Sequence, residues 1–189
     1  MRTSRGRVFE QTAASLDESS SDWPSPGTQA FPTPVQVDAL VAVLQAHGVL
    51  SAVSIGCGEG ALEAMLERRG VAVCAVDLDV LSDYTSIRTF CSQVIRIRPN
   101  ELFELESPAE AALCFFWGSS TPWREYLAHF PQVPVVVVAG APVGPDGLCA
   151  TKPDSGALDG IEGWHRVFHA PMRCVSMAAT LTVWARSPT

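Results

Sequence analysis

Apolar residues fall into two kinds of run along this chain, and the two kinds alternate. Val37, Leu40, Val41 and Leu44 recur at helical spacing between Pro34 and Gly48, which predicts one amphipathic helix with proline at its start and glycine at its stop. The continuous apolar stretch "VLSAVSI", residues 49–55, predicts a strand, "GALEAMLERRG", 60–70, returns to helical spacing, and "VAVCAVD", 71–77, predicts a second strand. These three form a βαβ unit. Further on, residues 81–92 predict a short helix, "QVIRIR" a third strand and "AALCFFW", 111–117, a fourth. The fourth has almost no polar interruption, as expected of a strand covered on both faces at the centre of a sheet. "PWREYLAHF" predicts the next helix, "VPVVVVAGA" a fifth strand, and the Gly- and Pro-bearing stretch 140–160 a long loop. "WHRVFHA" and "ATLTVWARS" carry the β-branched and aromatic residues of two last strands able to pair antiparallel.

Alternating strands and helices predict an α/β fold, a doubly wound Rossmann-like sheet between two helical layers, with ligands bound where the strands end at their carboxyl edge. The 189 residues, 47% of them hydrophobic, suffice for one well-buried domain and leave no room for a separate substrate domain. Residues 1–30 mix Ser, Thr, Pro, Gly and charge with scattered apolar side chains, a composition too poor in apolar surface to offset chain entropy. The expectation is a mobile arm over 1–30 and a single domain over 31–189.

Charge and cysteine content narrow the partners. A net charge of −7 removes the broad attraction that nucleic-acid backbones and anionic membranes exert, so no membrane partner is expected and nucleic acid is possible only through a local patch. The six cysteines never approach a C-x-x-C spacing and mostly sit within apolar runs, which predicts reduced thiols and an intracellular, soluble protein. No apolar run reaches the roughly 18 residues of a membrane span. The expected compartment is the cytoplasm. Arg2, Arg5 and Arg7 among serines and threonines have a mitochondrial-presequence character, but Asp17, Glu18 and Asp22 follow them.

The chemistry concentrates in "SAVSIGCGEGALEAMLERRGVAVCAVDLD", residues 51–79. Gly56, Gly58 and Gly60 follow the first strand of the βαβ unit directly, where glycine allows a positive φ and a close approach of ligand to backbone. Asp77 lies 19 positions after Gly58, at the end of the next strand, close to the spacing at which a carboxylate meets the two hydroxyls of a ribose. Read without a ligand, the glycines are a tight turn, and Asp77 and Asp79 a solvated strand end. Read with one, two cofactors share the geometry. "GCGEGA" satisfies the dinucleotide pattern G-x-G-x-x-(G/A), but a dehydrogenase ordinarily needs more chain to hold its substrate.

"SIGCGEG" followed by "VAVCAVD" resembles motif I of the class I S-adenosylmethionine-dependent methyltransferases, in which an aliphatic strand enters G-x-G-x-G and an acid ends the next strand. The element order of residues 34–189 fits the same family, and "LTVWAR" and the Trp-containing end of the fourth strand resemble small methyltransferase-like proteins. The resemblance implies about seven strands with the last antiparallel, and S-adenosylmethionine as cofactor. It places Gly56, Gly58 and Gly60 beside the methionyl part, Asp77 on the ribose, and Leu78 on the adenine, with Glu101 or Asn100 at the adenine edge. The chain departs from the family at Ser54, where an acid usually stands two positions before the first glycine. In "FFWGSSTPW", 115–123, the resemblance places the methyl acceptor beside Trp117 and Ser119.

His165 and His169 are four apart, but on a strand that separates them by about 13 Å, so no metal is expected. His129 falls toward the end of its helix, away from the expected cofactor edge, and Trp164 and Trp184 read as core residues. Arg96 and Arg98 alternate outward from the third strand and are expected on a solvated edge. The functional expectation is methyl transfer from S-adenosylmethionine to an unidentified acceptor. The alternatives are a catalytically silent scaffold for a protein partner and a dinucleotide-binding oxidoreductase.

Overall fold

The computed structural model describes residues 1–10, 32–78, 90–91, 93–118, 121–141, 151–172 and 178–187. Its elements in chain order are β1 (Arg2–Ser4), β2 (Arg7–Glu10), α1 (Pro34–Ala46), β3 (Ser51–Ile55), α2 (Ala61–Glu67), β4 (Ala72–Leu78), β5 (Gln93–Ile97), β6 (Glu101–Phe103), β7 (Ala111–Phe116), α3 (Trp123–His129), β8 (Val135–Gly140), β9 (Trp164–Pro171) and β10 (Thr180–Arg186). The helix expected over 81–92 lies almost wholly outside the described residues.

Helix α1 starts where the sequence places it, because Thr33 and Gln36 close a reciprocal capping box and Pro34 occupies the first turn. It buries Val37, Leu40, Val41 and Leu44 against the sheet. The main sheet has eight strands in the order β2-β5-β4-β3-β7-β8-β10-β9. Strands β5, β4, β3, β7 and β8 run parallel. Strand β10 is antiparallel to both its neighbours, β8 and β9. The seven expected strands are therefore present, with the last antiparallel, and β2 adds an eighth.

Alternate residues of the central strands face opposite helical layers. Ala52, Ala112, Cys114, Val135 and Val137 pack with α1 and α2 in one apolar cluster. Val53, Ile55, Leu113, Phe115, Val136, Val138 and Trp184 pack with Trp123, Tyr126 and Phe130 in the other. This is a three-layer sandwich, and strands covered on both sides explain the unbroken apolar runs.

The expectation of a mobile arm over 1–30 is corrected for its first ten residues. Arg2–Ser4 pairs parallel with β6 in a small second sheet, and Arg7–Glu10 pairs antiparallel with β5. Edge pairing is made by backbone groups and needs no apolar face, so composition did not reveal it. Covering β5 also corrects Arg96, expected on a solvated edge: its side chain is only 12% exposed. Arg98 is exposed.

Candidate functional site

The chain leaves β3 toward α2 on one side of the sheet centre and leaves β7 toward α3 on the other, so the strand order reverses between β3 and β7. A cavity of about 500 Å³ opens at the carboxyl ends of these strands, within the size range of small-molecule sites. Ile55, Gly56 and Gly58 form its wall after β3, Val76, Asp77 and Leu78 its wall after β4, and Trp117, Gly118 and Thr121 its wall after β7. Arg96, Asn100 and Glu101 close the side toward β5 and β6, where Met1 also reaches the lining.

Two glycines of the loop play different parts. Gly58 has φ +54, and a Cβ built on it would meet nothing within 4 Å, so its bare face opens to the cavity. Gly60 has φ +71, but a Cβ there would lie 2.3 Å from Cys91 Sγ. Its lack of a side chain serves packing against the segment after β4, and Gly60 is not part of the cavity wall. That segment is held to the loop by the Phe90 N–H, which donates to Glu59 O at 2.7 Å. The Cys57 thiol is held well above its ordinary pKa by hydrogen bonding with Cys91 and then by burial, so it is poorly suited to nucleophilic work.

Asp77 is set before any ligand arrives. Its Oδ1 accepts the Leu78 N–H at 2.8 Å, and Arg96 Nη1 lies 3.1 Å from its Oδ2. Each oxygen keeps acceptor capacity toward the cavity, because a carboxylate offers about four lone-pair directions. On the opposite wall Trp117 holds φ +58, a left-handed backbone uncommon for a bulky residue. Its indole N–H is buried with no hydrogen-bond partner among the described residues. Tyr126 lines the floor; its hydroxyl accepts the Phe103 N–H at 2.7 Å, and burial pushes the phenol up to about 12.

Behind the glycine loop, Ser54 Oγ donates to Glu63 Oε1 at 2.5 Å, and both side chains are buried. Ser54 faces the α2 layer, so the helix supplies a carboxylate beside the strand position at which the sequence has a serine. Burial, partly opposed by the Ser54 hydrogen bond, raises Glu63 from 4.5 to about 7.

Of the residues singled out from sequence, the structure brings Gly56, Gly58, Asp77, Leu78, Glu101 and Trp117 around one cavity. Gly60 stands behind it, and Ser119 lies outside the described residues. Sequence reasoning missed Arg96 as a cavity residue, Thr121, Tyr126 and Met1. It also missed Glu63, for which no periodicity signal existed: the first six residues of α2 are all buried, leaving no polar face to mark an odd member.

No family model and no curated protein matches the chain. A solved structure of an uncharacterized protein from Listeria monocytogenes serotype 4b is similar over 82% of this chain and 68% of its own, with a TM-score of 0.53 and 14% identity. The fold is Rossmann-like. A putative tRNA (m1A22) methyltransferase from Streptococcus pneumoniae, in complex with S-adenosyl-L-methionine, is similar over 80% of this chain and 73% of its own, at a TM-score of 0.46 and 11% identity. Magnesium protoporphyrin IX methyltransferase from Synechocystis PCC 6803, with bound S-adenosylmethionine, is similar over 93% of this chain and all of its own, at 0.44 and 16%. At these identities the likeness concerns the fold alone.

Proposed function

We propose that this chain is a methyltransferase that takes S-adenosylmethionine in the cavity at the ends of β3, β4 and β7. The observation that carries this reading is the pairing of an open backbone at Gly58 with a pre-oriented carboxylate at Asp77 across one cavity of about 500 Å³. A loop with no Cβ on its inner face lets a ligand lie against the backbone, and an oriented acceptor opposite suits a diol. The residues present therefore fit the cofactor.

In this reading Gly56 and Gly58 hold the methionyl part, Asp77 receives the ribose hydroxyls, and Leu78 covers the adenine, whose edge meets Glu101 or Asn100. Trp117 lines the acceptor side, with Ser119 orienting the acceptor. The bound cofactor supplies an electrophilic methyl group on a sulfonium sulfur. Trp117, Thr121 and Pro122 would hold the acceptor beside that group and exclude water, and such positioning can supply much of the rate without a strong base. The protein acts in the cytoplasm on this reading, through a single domain over residues 31–189 to which residues 1–10 add edge strands.

The test is calorimetric titration of the full chain with S-adenosylmethionine, S-adenosylhomocysteine and NAD, followed by transfer of an isotopically labelled methyl group to a panel of proteins, RNAs and small molecules. Binding of the first two and transfer to one acceptor class support the reading. Binding without any transfer favours a silent scaffold, and binding of NAD alone overturns it.

A further inference from the structure

Glu63 stands apart among the acids of this protein. It is 1% exposed, and among the described residues it is the only charged residue that is buried. Ser54 on β3 is its side-chain hydrogen-bond partner, and no described Lys, Arg or His pairs with it. Among the described residues, the ionisable groups that face it are acids or thiols: Glu67 on its own helix, Asp77 on β4, Cys57 on the loop with Cys91 beside it, and Cys114 on β7. Helix α1, Pro34–Ala46, contains no Lys, Arg or His, and Arg69 beyond α2 turns to Asp38, 2.5 Å away.

A carboxylate sealed from water without a counter-charge is costly to ionise, so the empty protein favours the protonated form. The described residues supply no counter-charge, and the cavity is where one could arrive. Ser54 is followed directly by Ile55 and Gly56, which line the cavity, and Asp77 both lines it and lies within electrostatic range of Glu63.

We propose that Glu63 senses the charge of the ligand: it is protonated when the cavity is empty and gives up its proton when a cationic ligand occupies the cavity. This inference rests on the methyltransferase reading for its choice of ligand. S-adenosylmethionine carries a sulfonium, and S-adenosylhomocysteine has a neutral sulfur in its place, so the protein distinguishes donor from product through one proton. The step balances as loss of a proton from Glu63 to solvent on binding, with no bond to carbon involved. The Ser54 hydroxyl stays as donor to the resulting carboxylate. Glu63 therefore acts as a specificity residue beneath the loop rather than as a ligand contact.

The test compares the full-length wild type with Glu63→Gln, which keeps an acceptor for Ser54. Calorimetry with each ligand at pH 6, 7 and 8, in two buffers of different ionisation enthalpy, counts the protons released. Reading wild type minus variant cancels titration of the ligands' own amino groups. The expected result is that wild-type affinity for S-adenosylmethionine rises about three- to tenfold more than the variant's between pH 6 and 8, the span open to one linked proton on a group that titrates near pH 7 in the free protein, while S-adenosylhomocysteine shows no such difference. Because the variant can fail to fold, carbon-13 NMR of wild-type glutamate carboxyls gives a second readout. One signal titrates near neutrality in the free protein and moves to lower pH with S-adenosylmethionine only. Equal proton release with both ligands, equal pH profiles of wild type and variant, or a carboxyl unmoved by S-adenosylmethionine, with both ligands bound, overturns the sensor and leaves the methyltransferase reading standing. Failure of both ligands to bind at any pH overturns the two together.

Discussion

Arg96 stands opposite Asp77 in the parallel register of β4 and β5, and its guanidinium closes to 3.1 Å from the carboxylate. The pair fixes the acid at the cavity wall and gives the arginine a partner where it is largely covered. Asp77→Ala is therefore expected to weaken S-adenosylhomocysteine binding by about 1.5–3 kcal/mol, the range for hydrogen bonds to a charged group. Asp79→Ala, at a residue outside the described set, should do much less. Calorimetry decides, and equal effects of the two substitutions remove Asp77 from its role.

The loop glycines should separate binding from folding. Gly58→Val places its side chain in open cavity space and abolishes ligand binding, with a stability loss of about 1–2 kcal/mol from the left-handed backbone. Gly60→Val drives a side chain into Cys91 and should lower the melting temperature much further. Normal binding by the Gly58 variant would make this loop a plain turn.

Glu63 sets a pH dependence of stability. Its folded value of about 7 lies above the ordinary 4.5, so between these limits the folded state binds a proton that the unfolded state has lost. The contribution is full below about pH 4.5, declines as pH rises toward 7, and is gone above it, by about 3 kcal/mol at the upper limit. Urea unfolding between pH 4 and 8 should show this decline in wild type and a flatter profile in Glu63→Gln. The same slope in both proteins assigns the decline to other groups.

Trp117 lines the wall across from Asp77. Trp117→Ala is expected to abolish methyl transfer while leaving S-adenosylhomocysteine affinity within about twofold, a difference under about 0.5 kcal/mol. Transfer at the wild-type rate refutes its place in the acceptor pocket.

Deleting residues 1–10 uncovers the backbone edge of β5 and removes Met1 from the cavity lining. A melting temperature lower by several degrees and weaker ligand binding are expected. An unchanged protein by both scanning calorimetry and titration returns these residues to the status of an arm.

The sheet was legible in the sequence where burial left no choice of side chain. "AALCFFW" and "VPVVVVAGA" are covered on both faces, and β7 and β8 are buried at every position. Strands β1, β2 and β6 have three or four residues each, too few for a side-chain period, and are defined by backbone partners elsewhere in the chain. The site divides similarly. Gly58 and Asp77 could be found because backbone freedom and spacing along one βαβ unit are local properties. Arg96 became a cavity residue through its register opposite Asp77, a pairing between distant segments, and Glu63 stood out only once its helix was seen to be buried over its first six residues.

Met1 at the cavity wall also bears on how this protein is handled. A purification tag or reporter fused ahead of Met1 starts its path at the mouth of the cavity and competes there with whatever enters. Strand β10 runs the other way: the Arg186 N–H donates to Pro134 O, just before β8 begins, at the sheet edge opposite the cavity. A fusion carried beyond Arg186 leaves from that far edge and keeps the cavity mouth clear.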